Sequence, residues 1–258
     1  MPLSKLNRSV SGLNVFITGA GSGMGRATAH LFADEGSRVA VTDLSEDRVQ
    51  KVVTEIREAG GSARGWVLDL HDPAAIVKVV KAAAAEFGGL DIIINNAGIV
   101  GMCQIDAPDY EEHWNASIDI MVTAQMRIIR AALPYLRKSN SPRIVNISST
   151  EGLGASKFNS SYAVAKHGVI GLTRSLAVEL GREGITVNCV APGPINTAMT
   201  EAIPEDAKTI YAKRRTSLGR YGDPEEVAHA VMNFCMPAAL YITGTVLLVD
   251  GGQMAKNG

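Results

Sequence analysis

The feature that most constrains the fold is the alternation of short apolar segments with longer segments of helical period. Most of the short segments are rich in β-branched residues and apolar at successive positions, which is typical of strands covered on both faces. Strands that alternate with helices along a whole chain predict a parallel sheet with helices on both sides. The seven predicted strands are Val15–Thr18, Arg38–Asp43, Gly65–Asp69, Leu90–Asn95, Arg143–Ser148, Ile185–Ala191 and Thr245–Val249.

The segments between these strands carry the signals of helix ends. Ser45 and Asp72 are suitable N-cap residues, and Pro73 occupies the first position of its helix. Gly36 and Gly60 are placed to end the helices before them. The predicted helices are Met24–Glu35, Ser45–Ala59, Pro73–Phe87, Tyr110–Arg137, Ser161–Gly181 and Pro224–Cys235.

Length and composition indicate one globular domain over residues 1–258. In a parallel sheet of this kind, ligands are expected at the carboxyl ends of the strands. The formal net charge of -1 gives no basic surface for nucleic acid or an anionic membrane, so neither is an expected partner. No apolar run approaches the roughly 20 residues that span a bilayer, and residues 1–11 do not resemble a signal sequence. The expected location is therefore cytoplasmic.

Neither the cysteines nor the histidines show the spacing of a metal site. The cysteines are far apart and form no CxxC pair, so no disulfide and no zinc site are predicted. Cys189 lies in an apolar strand and is expected to be a buried hydrophobic residue. The histidines show no ligand spacing either, and no metal is predicted. The residues in question are Cys103, Cys189, Cys235, His30, His71, His113, His167 and His229.

A glycine-rich segment, Thr18–Gly25, joins the first predicted strand to the first predicted helix. Its spacing is Thr-Gly-x-x-x-Gly-x-Gly and not the Gly-x-Gly-x-x-Gly pattern. Glycines let the chain turn sharply, and they let a pyrophosphate approach the helix N-terminus, where unpaired N–H groups favour anions. The segment therefore predicts a dinucleotide site.

Asp43 ends the second predicted strand, close to where the adenosine ribose of a dinucleotide would lie. A carboxylate there can accept hydrogen bonds from the ribose hydroxyls, and it would repel the 2′-phosphate of NADP. Ser45 is available to cap the next helix, so Asp43 is not needed for that task. No Lys or Arg lies in the glycine loop or directly after Asp43, so the sequence favours NAD over NADP.

Motifs over nearly the whole chain, from Leu13 to Gly252, resemble those of the short-chain dehydrogenase/reductase family. Besides the glycine loop, they are Leu68-Asp69, the Asn-Asn-Ala-Gly segment Asn95–Gly98, and the Pro-Gly loop Pro192–Thr197. The resemblance implies a single Rossmann-like, doubly wound α/β domain that binds NAD. The residues implied to bind the cofactor are Gly19, Gly21, Ser22, Gly23, Met24, Gly25, Asp43, Leu44, Asp69, Leu70, Asn96, Ala97, Gly98, Tyr162, Lys166, Pro192, Gly193, Ile195 and Thr197.

Tyr162 and Lys166 are four residues apart, on one face of a predicted helix. Oxidising an alcohol requires a base near its oxygen, and reducing a ketone requires an acid there. Free tyrosine has a pKa of about 10, which a nearby ammonium and a positive nicotinamide would lower. Ser149 has the family's spacing for the serine that binds the substrate oxygen, and strand alternation turns Ser148 to the opposite side. The resemblance implies that Tyr162 is the acid/base, that Lys166 binds the ribose and tunes Tyr162, and that Ser149 orients the substrate.

The chain departs from the family at one functional position. Seven residues after Trp114, the family usually has an asparagine that anchors water leading to the catalytic lysine, whereas this chain has Met121. Methionine cannot anchor water in that way. We expect proton exchange by an altered route, with Ser117 a partial substitute, slower turnover and retained hydride transfer.

The segment Ala198–Gly219 follows the nicotinamide loop and mixes apolar with charged residues. It is expected to form a mobile lid over a small or mid-sized substrate. Glu151 and Asn159 lie near the two ends of the segment between Ser149 and Tyr162. They are predicted to face the substrate together with Ser149 and Tyr162. For Glu151 two interpretations stay open, binding of a hydroxyl or amine, and a place at a wet rim.

Three functions compete at this point. The first is an NAD-dependent dehydrogenase of secondary alcohols, including hydroxysteroids. The second is a 3-oxoacyl-thioester reductase; by resemblance these enzymes prefer NADP, which Asp43 opposes. They usually have basic residues near the positions of Asn140 and Glu183, and since Arg137, Lys138 and Arg182 lie nearby, this opposes the second function only mildly. The third is a cofactor-binding regulator with little turnover, motivated only by Met121 and opposed by the intact catalytic residues.

The resemblance also implies an assembly. In relatives, the long helices that correspond to Tyr110–Arg137 and Ser161–Gly181 pair across a dimer interface. The segment Val249–Gly252 corresponds to part of a second interface, so the expected assembly is a homotetramer.

Overall fold

The computed structural model describes residues 6–256. Within this range seven parallel strands form one sheet in the order β3-β2-β1-β4-β5-β6-β7, with helices on both faces. The predicted fold class, a Rossmann-like α/β fold, is confirmed. The strands are β1 (Asn14–Thr18), β2 (Arg38–Asp43), β3 (Ser62–Val67), β4 (Ile92–Asn95), β5 (Arg143–Ile147), β6 (Thr186–Pro192) and β7 (Val246–Val249).

The helices begin and end where the capping residues predict. The Ser45 side chain accepts a hydrogen bond from the Arg48 N–H, and that of Asp72 accepts from two N–H groups of the following turn. Gly36 and Gly60 have positive φ angles just after their helices. Over the described range the α-helices are α1 (Gly23–Asp34), α2 (Glu46–Glu58), α3 (Pro73–Phe87), α4 (Tyr110–Ile118), α5 (Ala124–Leu136), α6 (Ser160–Leu180), α7 (Glu205–Arg215) and α8 (Pro224–Cys235).

The sheet separates two apolar layers, because successive side chains of a strand point to opposite faces. In β4, Ile92 and Ile94 pack with residues of α2 and α8, while Ile93 packs on the other face with residues of α3 and α5. All residues of β1, β4, β5 and β6 are buried. This burial on both faces explains why the central strands read as continuous apolar runs.

Three elements differ from the sequence prediction. β3 begins at Ser62, three residues before the predicted start, because it is an edge strand whose exposed positions break the apolar run. The predicted helix Tyr110–Arg137 is two helices, separated by a π-helical turn at Asp119–Thr123. The predicted lid contains α7, whose apolar residues are too few to give a clear helical period.

Candidate active site

A cavity of about 660 Å³ opens at the carboxyl ends of the strands, where β1 lies between β2 and β4. Connections leave β1 and β4 toward opposite faces of the sheet there, which is where open α/β sheets bind ligands. With the exceptions of Gly21 and Gly25, every residue predicted to bind the cofactor lines this cavity. The structure therefore brings together residues that are more than 170 positions apart in sequence, from Gly19 to Thr197.

Gly21 and Gly25 shape the glycine loop and do not line the cavity. The Gly21 N–H donates to Asp43 Oδ2 at 3.1 Å, and a Cβ on Gly21 would lie 2.8 Å from that carboxyl group. A Cβ on Gly25 would lie 2.1 Å from the carbonyl oxygen of Gly19 and 2.5 Å from Asn96 Nδ2. Both glycines permit close backbone contact here, and their predicted contact with the cofactor stays a prediction.

The loops that follow β1 and β4 are hydrogen-bonded to each other. Asn96 Nδ2 donates to the carbonyl oxygens of Thr18 and Gly19, at 2.9 and 3.1 Å. Thr18 Oγ1 in turn accepts from the N–H groups of Asn96 and Ala97. The Asn-Asn-Ala-Gly segment therefore holds the start of the glycine loop in place through these hydrogen bonds.

The N-terminus of α1 is open to an anion. Ser22 precedes the helix in an extended conformation, and its side chain makes no capping hydrogen bond. The first-turn N–H groups therefore keep their capacity to bind a pyrophosphate, which the helix dipole also favours. Together with the glycine approach and the Asp43 carboxylate, these groups fit a bound dinucleotide.

The structure places a cation beside Asp43 that the sequence prediction missed. Arg48 lines the same cavity, because the first turn of α2 brings it back over the end of β2. Its Cβ would lie 2.7 Å from a Cβ on Gly21, next to the Asp43 carboxyl group. The sequence contained a signal, since Arg48 is three residues after the N-cap Ser45.

Ser149, Tyr162 and Lys166 meet at the end of β5 and line the cavity. Lys166 Nζ donates to the carbonyl oxygen of Ile147 at 3.0 Å and lies 5.4 Å from the centroid of the Tyr162 ring. The Ser148 hydroxyl donates to the carbonyl oxygen of Lys166 at 2.8 Å. Ser148 is thereby engaged in holding α6, whereas Ser149 faces Tyr162.

Burial shifts the pKa values of Tyr162 and Lys166. Burial raises the pKa of Tyr162 above its usual range; a hydrogen bond with Ser149 lowers it and the Glu151 charge raises it further. Burial also lowers the pKa of Lys166 to about 8. The expected lowering of the Tyr162 pKa by Lys166 is not seen here, because Lys166 Nζ is directed to a backbone carbonyl and desolvation of the phenolate dominates.

This arrangement predicts the effect of Glu151→Gln on pH dependence. A carboxylate near Tyr162 disfavours the phenolate, so removing its charge is expected to lower the Tyr162 pKa. Alcohol oxidation needs the phenolate, and its rate should rise with pH through that pKa. The rising limb should therefore move to lower pH in Glu151→Gln when kcat/KM is measured across pH. Glu183→Gln, which changes an exposed charge paired with Arg137, is the control; an unshifted limb in Glu151→Gln would contradict the assignment.

Glu151 and Asn159 lie beside the cavity and are not among its lining residues. Glu151 Oε1 accepts a hydrogen bond from Ser156 Oγ at 2.6 Å. Glu151 Oε2 and Asn159 Oδ1 are buried and lack a hydrogen-bond partner in the described part of the chain. Their contact with substrate stays a prediction.

Met121 lies next to the catalytic lysine. It is fully buried in the π turn, and its Sδ and Lys166 Nζ are each 3.7 Å from where a Cβ on Gly98 would lie. Ser117 is buried in α4, before this turn. The structure thus puts a thioether close to Lys166, at the position where the family usually has a water-anchoring asparagine.

Met121→Asn is expected to raise kcat, because an amide can hold water beside Lys166 and shorten the route for proton exchange. Met121→Leu is the matched control, since it keeps the apolar volume and offers no hydrogen bond. The measurement is kcat for both variants, with thermal unfolding to verify folding. Lower activity or misfolding in Met121→Asn would mean that Met121 serves packing.

The start of the predicted lid borders the cavity. Ala198, Met199 and Thr200 are among the lining residues, and α7 follows directly. Ile210 on α7 is two-thirds exposed. Closure of this segment over a substrate stays a prediction.

Comparison with known proteins agrees with this geometry. A family model described as enoyl-(acyl carrier protein) reductase, of the short-chain dehydrogenase/reductase family, matches residues 19–254. A 3-oxoacyl-(acyl-carrier-protein) reductase of Thermotoga maritima is 39% identical over 236 residues, 92% of this chain and 95% of the relative. A cis-4-hydroxycyclohexanecarboxylate dehydrogenase of Sinomonas cyclohexanicum is 38% identical over 242 residues, 93% of this chain and 95% of the relative.

A solved structure from Beutenbergia cavernae has a TM-score of 0.91 and 34% identity, and covers 97% of this chain and 100% of its own. It is described as an NAD(P)-dependent gluconate 5-dehydrogenase with bound NADP. Fold, cavity and matches together define an oxidoreductase with a nicotinamide cofactor. The chain belongs to the short-chain dehydrogenase/reductase family.

The structure also bears on the burial of Cys189 and on the length and apolarity of the helices. Cys189 is fully buried in β6, as expected. Among residues 6–256, none of the helices combines the length and apolarity needed to cross a bilayer.

Proposed function

We propose that the chain interconverts a secondary alcohol and its ketone, with NAD as the hydride carrier. The observation that carries the proposal is the convergence of Ser149, Tyr162 and Lys166 on the cavity that the glycine loop also lines. The comparisons support the coarser reaction class, since the relatives are oxidoreductases of hydroxyl or ketone groups. Cofactor and substrate choice are proposals drawn from this chain's own residues.

In oxidation, the hydroxyl oxygen of the substrate lies between Tyr162 Oη and Ser149 Oγ. Tyr162, as phenolate, accepts the hydroxyl proton, and Ser149 donates a hydrogen bond that holds the oxygen in place. The nicotinamide, when bound, would accept the hydride that leaves the carbon bearing that hydroxyl. In reduction Tyr162 returns its proton to the ketone oxygen. The buried Lys166 ammonium adds positive charge near Tyr162, and a hydrogen bond to the Ile147 carbonyl oxygen holds the ammonium in place.

The cavity favours an apolar or cyclic alcohol. Ile99, Ile120 and Met199 line it and are not assigned to the cofactor, so they offer hydrocarbon contacts to a substrate skeleton. The relative from Sinomonas cyclohexanicum is named for a hydroxycyclohexane substrate, which agrees with this preference. Hydroxysteroids belong to the same chemical class.

NAD is proposed because the Asp43 carboxylate is fixed at the ribose end of the cavity. Its two oxygens accept hydrogen bonds from the N–H groups of Gly21 and Ser45, each at 3.1 Å. A carboxylate held in this way can accept from ribose hydroxyls and repels a 2′-phosphate. NADP is the less favoured cofactor.

Reduction of 3-oxoacyl thioesters is the second candidate. It is favoured by the Thermotoga maritima relative, which is named for that reaction and matches 92% of this chain. The two candidates differ in the substrate they use and not in the catalytic residues. A carrier-bound substrate would also need a basic docking surface on this chain. The exposed Arg137 could contribute to such a surface, but it is already paired with Glu183.

The deciding experiment measures NADH formation over a panel of cyclic alcohols, hydroxysteroids and 3-hydroxyacyl thioesters, with NADP in parallel and Tyr162→Phe as the blank. Turnover of a cyclic alcohol or hydroxysteroid with NAD, absent in the blank, is the expected result. A thioester as the best substrate would favour the second candidate. Cofactor binding without turnover of any substrate would favour a regulator over an enzyme.

A homotetramer is proposed as the assembly, with a small-molecule substrate as the partner. Val178 on α6 is 85% exposed, and Leu247 and Leu248 of β7 are more than a third exposed. Apolar residues at these two places agree with the two expected interfaces. The cytoplasmic location stays a prediction.

A further inference from the structure

Three side chains outside the cavity have the character of a metal site. A thiol sulfur, a carboxylate oxygen and an imidazole nitrogen from Cys103, Asp109 and His113 all lie within 4.8 Å of one another. Cys103 belongs to the loop after β4, Asp109 precedes α4, and His113 is in the first turn of α4. The sequence predicted no metal at these residues, because their spacing is not that of a ligand motif and the path of the loop decides whether Cys103 reaches the helix.

The distances between the donor atoms fit a tetrahedral ion. Cys103 Sγ is 3.7 Å from Asp109 Oδ1, and His113 Nε2 is 3.3 Å from Asp109 Oδ2. A tetrahedral zinc ion with ordinary bond lengths separates a sulfur from an oxygen ligand by ~3.5 Å, and a nitrogen from an oxygen ligand by ~3.3 Å. The two contacts use different oxygens of the Asp109 carboxylate, so to share one ion the carboxylate must turn to bring one oxygen to both partners or bind through both oxygens.

The local structure directs these groups toward each other. Asp109 stands at the N-cap of α4, yet its side chain makes no capping hydrogen bond and turns to Cys103 and His113. Gly101 packs against the other side of the imidazole, since a Cβ there would lie 2.9 Å from His113 Nδ1. The ring therefore presents Nε2 to the cluster.

The loop around Cys103 is also tied to the segment that leads to Tyr162. The Cys103 N–H donates to the carbonyl oxygen of Phe158 at 2.8 Å, and Phe158 has a strained positive φ of 64°. Tyr110 of α4 and Ser160 of α6 share a hydrogen bond of 2.8 Å between their hydroxyls. An ion at the cluster would therefore brace the loop after β4 against the start of α6.

We propose that Cys103, Asp109 and His113 bind a zinc-class transition-metal ion that clips the loop after β4 to the start of α4. A thiolate with an imidazole and a carboxylate selects zinc or a similar ion over Mg²⁺ and Ca²⁺. The fourth coordination position is left to solvent or a small ligand. The role is structural, because none of the three residues lines the cavity that holds the catalytic residues.

The test uses the full-length protein after treatment with a chelator, with Co²⁺ and Zn²⁺ as probes. One equivalent of Co²⁺ is expected to give a thiolate-to-cobalt charge-transfer absorption, which Zn²⁺ then removes. Cys103→Ser should abolish this absorption. Because even the loss of an outer-shell partner weakens metal binding about 10–100-fold, His113→Gln should weaken binding by at least about tenfold. A wild-type protein without the absorption, or one that Cys103→Ser leaves unchanged, would overturn the proposal.

A matched control is His229→Gln. His229 forms an i,i+4 pair with Glu225 on α8, like the pair of His113 with Asp109, but without a cysteine. This variant should bind Co²⁺ and Zn²⁺ as the wild type does. An equal loss in His229→Gln would show nonspecific binding and overturn the site.

A second measurement needs no variant and so does not depend on the variants folding. Zn²⁺ should slow alkylation of Cys103 at least about tenfold, followed by mass spectrometry, because a metal-bound thiolate is masked. Cys103 is itself 8% exposed, so its rate is compared in the same protein with and without Zn²⁺; Cys189 and Cys235, which are fully buried, should stay unmodified and so show that the fold is intact. An unchanged alkylation rate with saturating Zn²⁺ would contradict the proposal. Neither readout requires turnover, so failure of the metal site is distinguishable from failure of the proposed function.

Discussion

Tyr162→Phe is expected to lower kcat by about 10²–10⁴-fold, the contribution typical of a positioned general acid or base. The phenylalanine ring keeps the packing around α6 and removes only the hydroxyl that exchanges a proton with the substrate oxygen. Lys166 should keep its position, because its Nζ donates to the Ile147 carbonyl and not to the Tyr162 hydroxyl, so any loss of cofactor affinity reports the contact of Tyr162 itself with the cofactor. The measurements are kcat with the best substrate of the panel and cofactor binding by fluorescence titration.

Tyr135→Phe is the matched control for this prediction. Tyr135 is a half-buried residue of α5 that packs against the core and does not line the cavity. Its hydroxyl is chemically the same, so its removal should leave kcat within about twofold if catalysis depends on position. Turnover retained in Tyr162→Phe would transfer the proton role to another group and refute the proposed mechanism.

The arrangement of the sheet could be predicted because its central strands are buried on both faces. The Ile92–Asn95 strand reads as a continuous apolar run for this reason, and its neighbours follow the same pattern. The edge strand β3 has no such pattern, since it alternates between buried and exposed positions, and its start was predicted three residues late. The π turn at Asp119–Thr123 was missed because such turns are rare single-turn insertions, and the helical segments on either side of it read as one helix.

The residues of the candidate site fall into two groups, those placed by strands and helices and those placed by the path of a loop. Ser149, Tyr162 and Lys166 could be found because a strand end and one helix face set their positions, so spacing in sequence reflects distance in space. The Cys103 cluster could not, since it depends on how the loop after β4 returns to the start of α4. Arg48 was missed although its place three residues after the N-cap Ser45 indicated it. Spacing reveals a neighbouring charge and does not reveal burial, which raises the pKa of Tyr162 in this structure; the lowering expected with a bound nicotinamide stays a prediction.

Cofactor preference provides the second large prediction, because Asp43 and Arg48 act on it in opposite directions. Asp43→Ser removes the acceptor for the ribose hydroxyls and the charge that repels a 2′-phosphate, while Arg48 remains in the cavity. A hydrogen bond to a charged group contributes about 1.5–3 kcal/mol, which corresponds to roughly 10–100-fold. The ratio of kcat/KM for NAD to that for NADP is therefore expected to fall by about 10–100-fold in Asp43→Ser.

The exposed Asp47 of α2 supplies the control, since Asp47→Ser changes the net charge equally and does not alter the cavity lining. The double variant Asp43→Ser with Arg48→Ala should lose the gain with NADP, because the guanidinium is then absent as a partner for the phosphate. If the ratio is the same in wild type and Asp43→Ser, Asp43 does not discriminate between the cofactors. In that case Arg48 governs the ribose end of the cavity, and a wild-type preference for NADP follows from the same geometry.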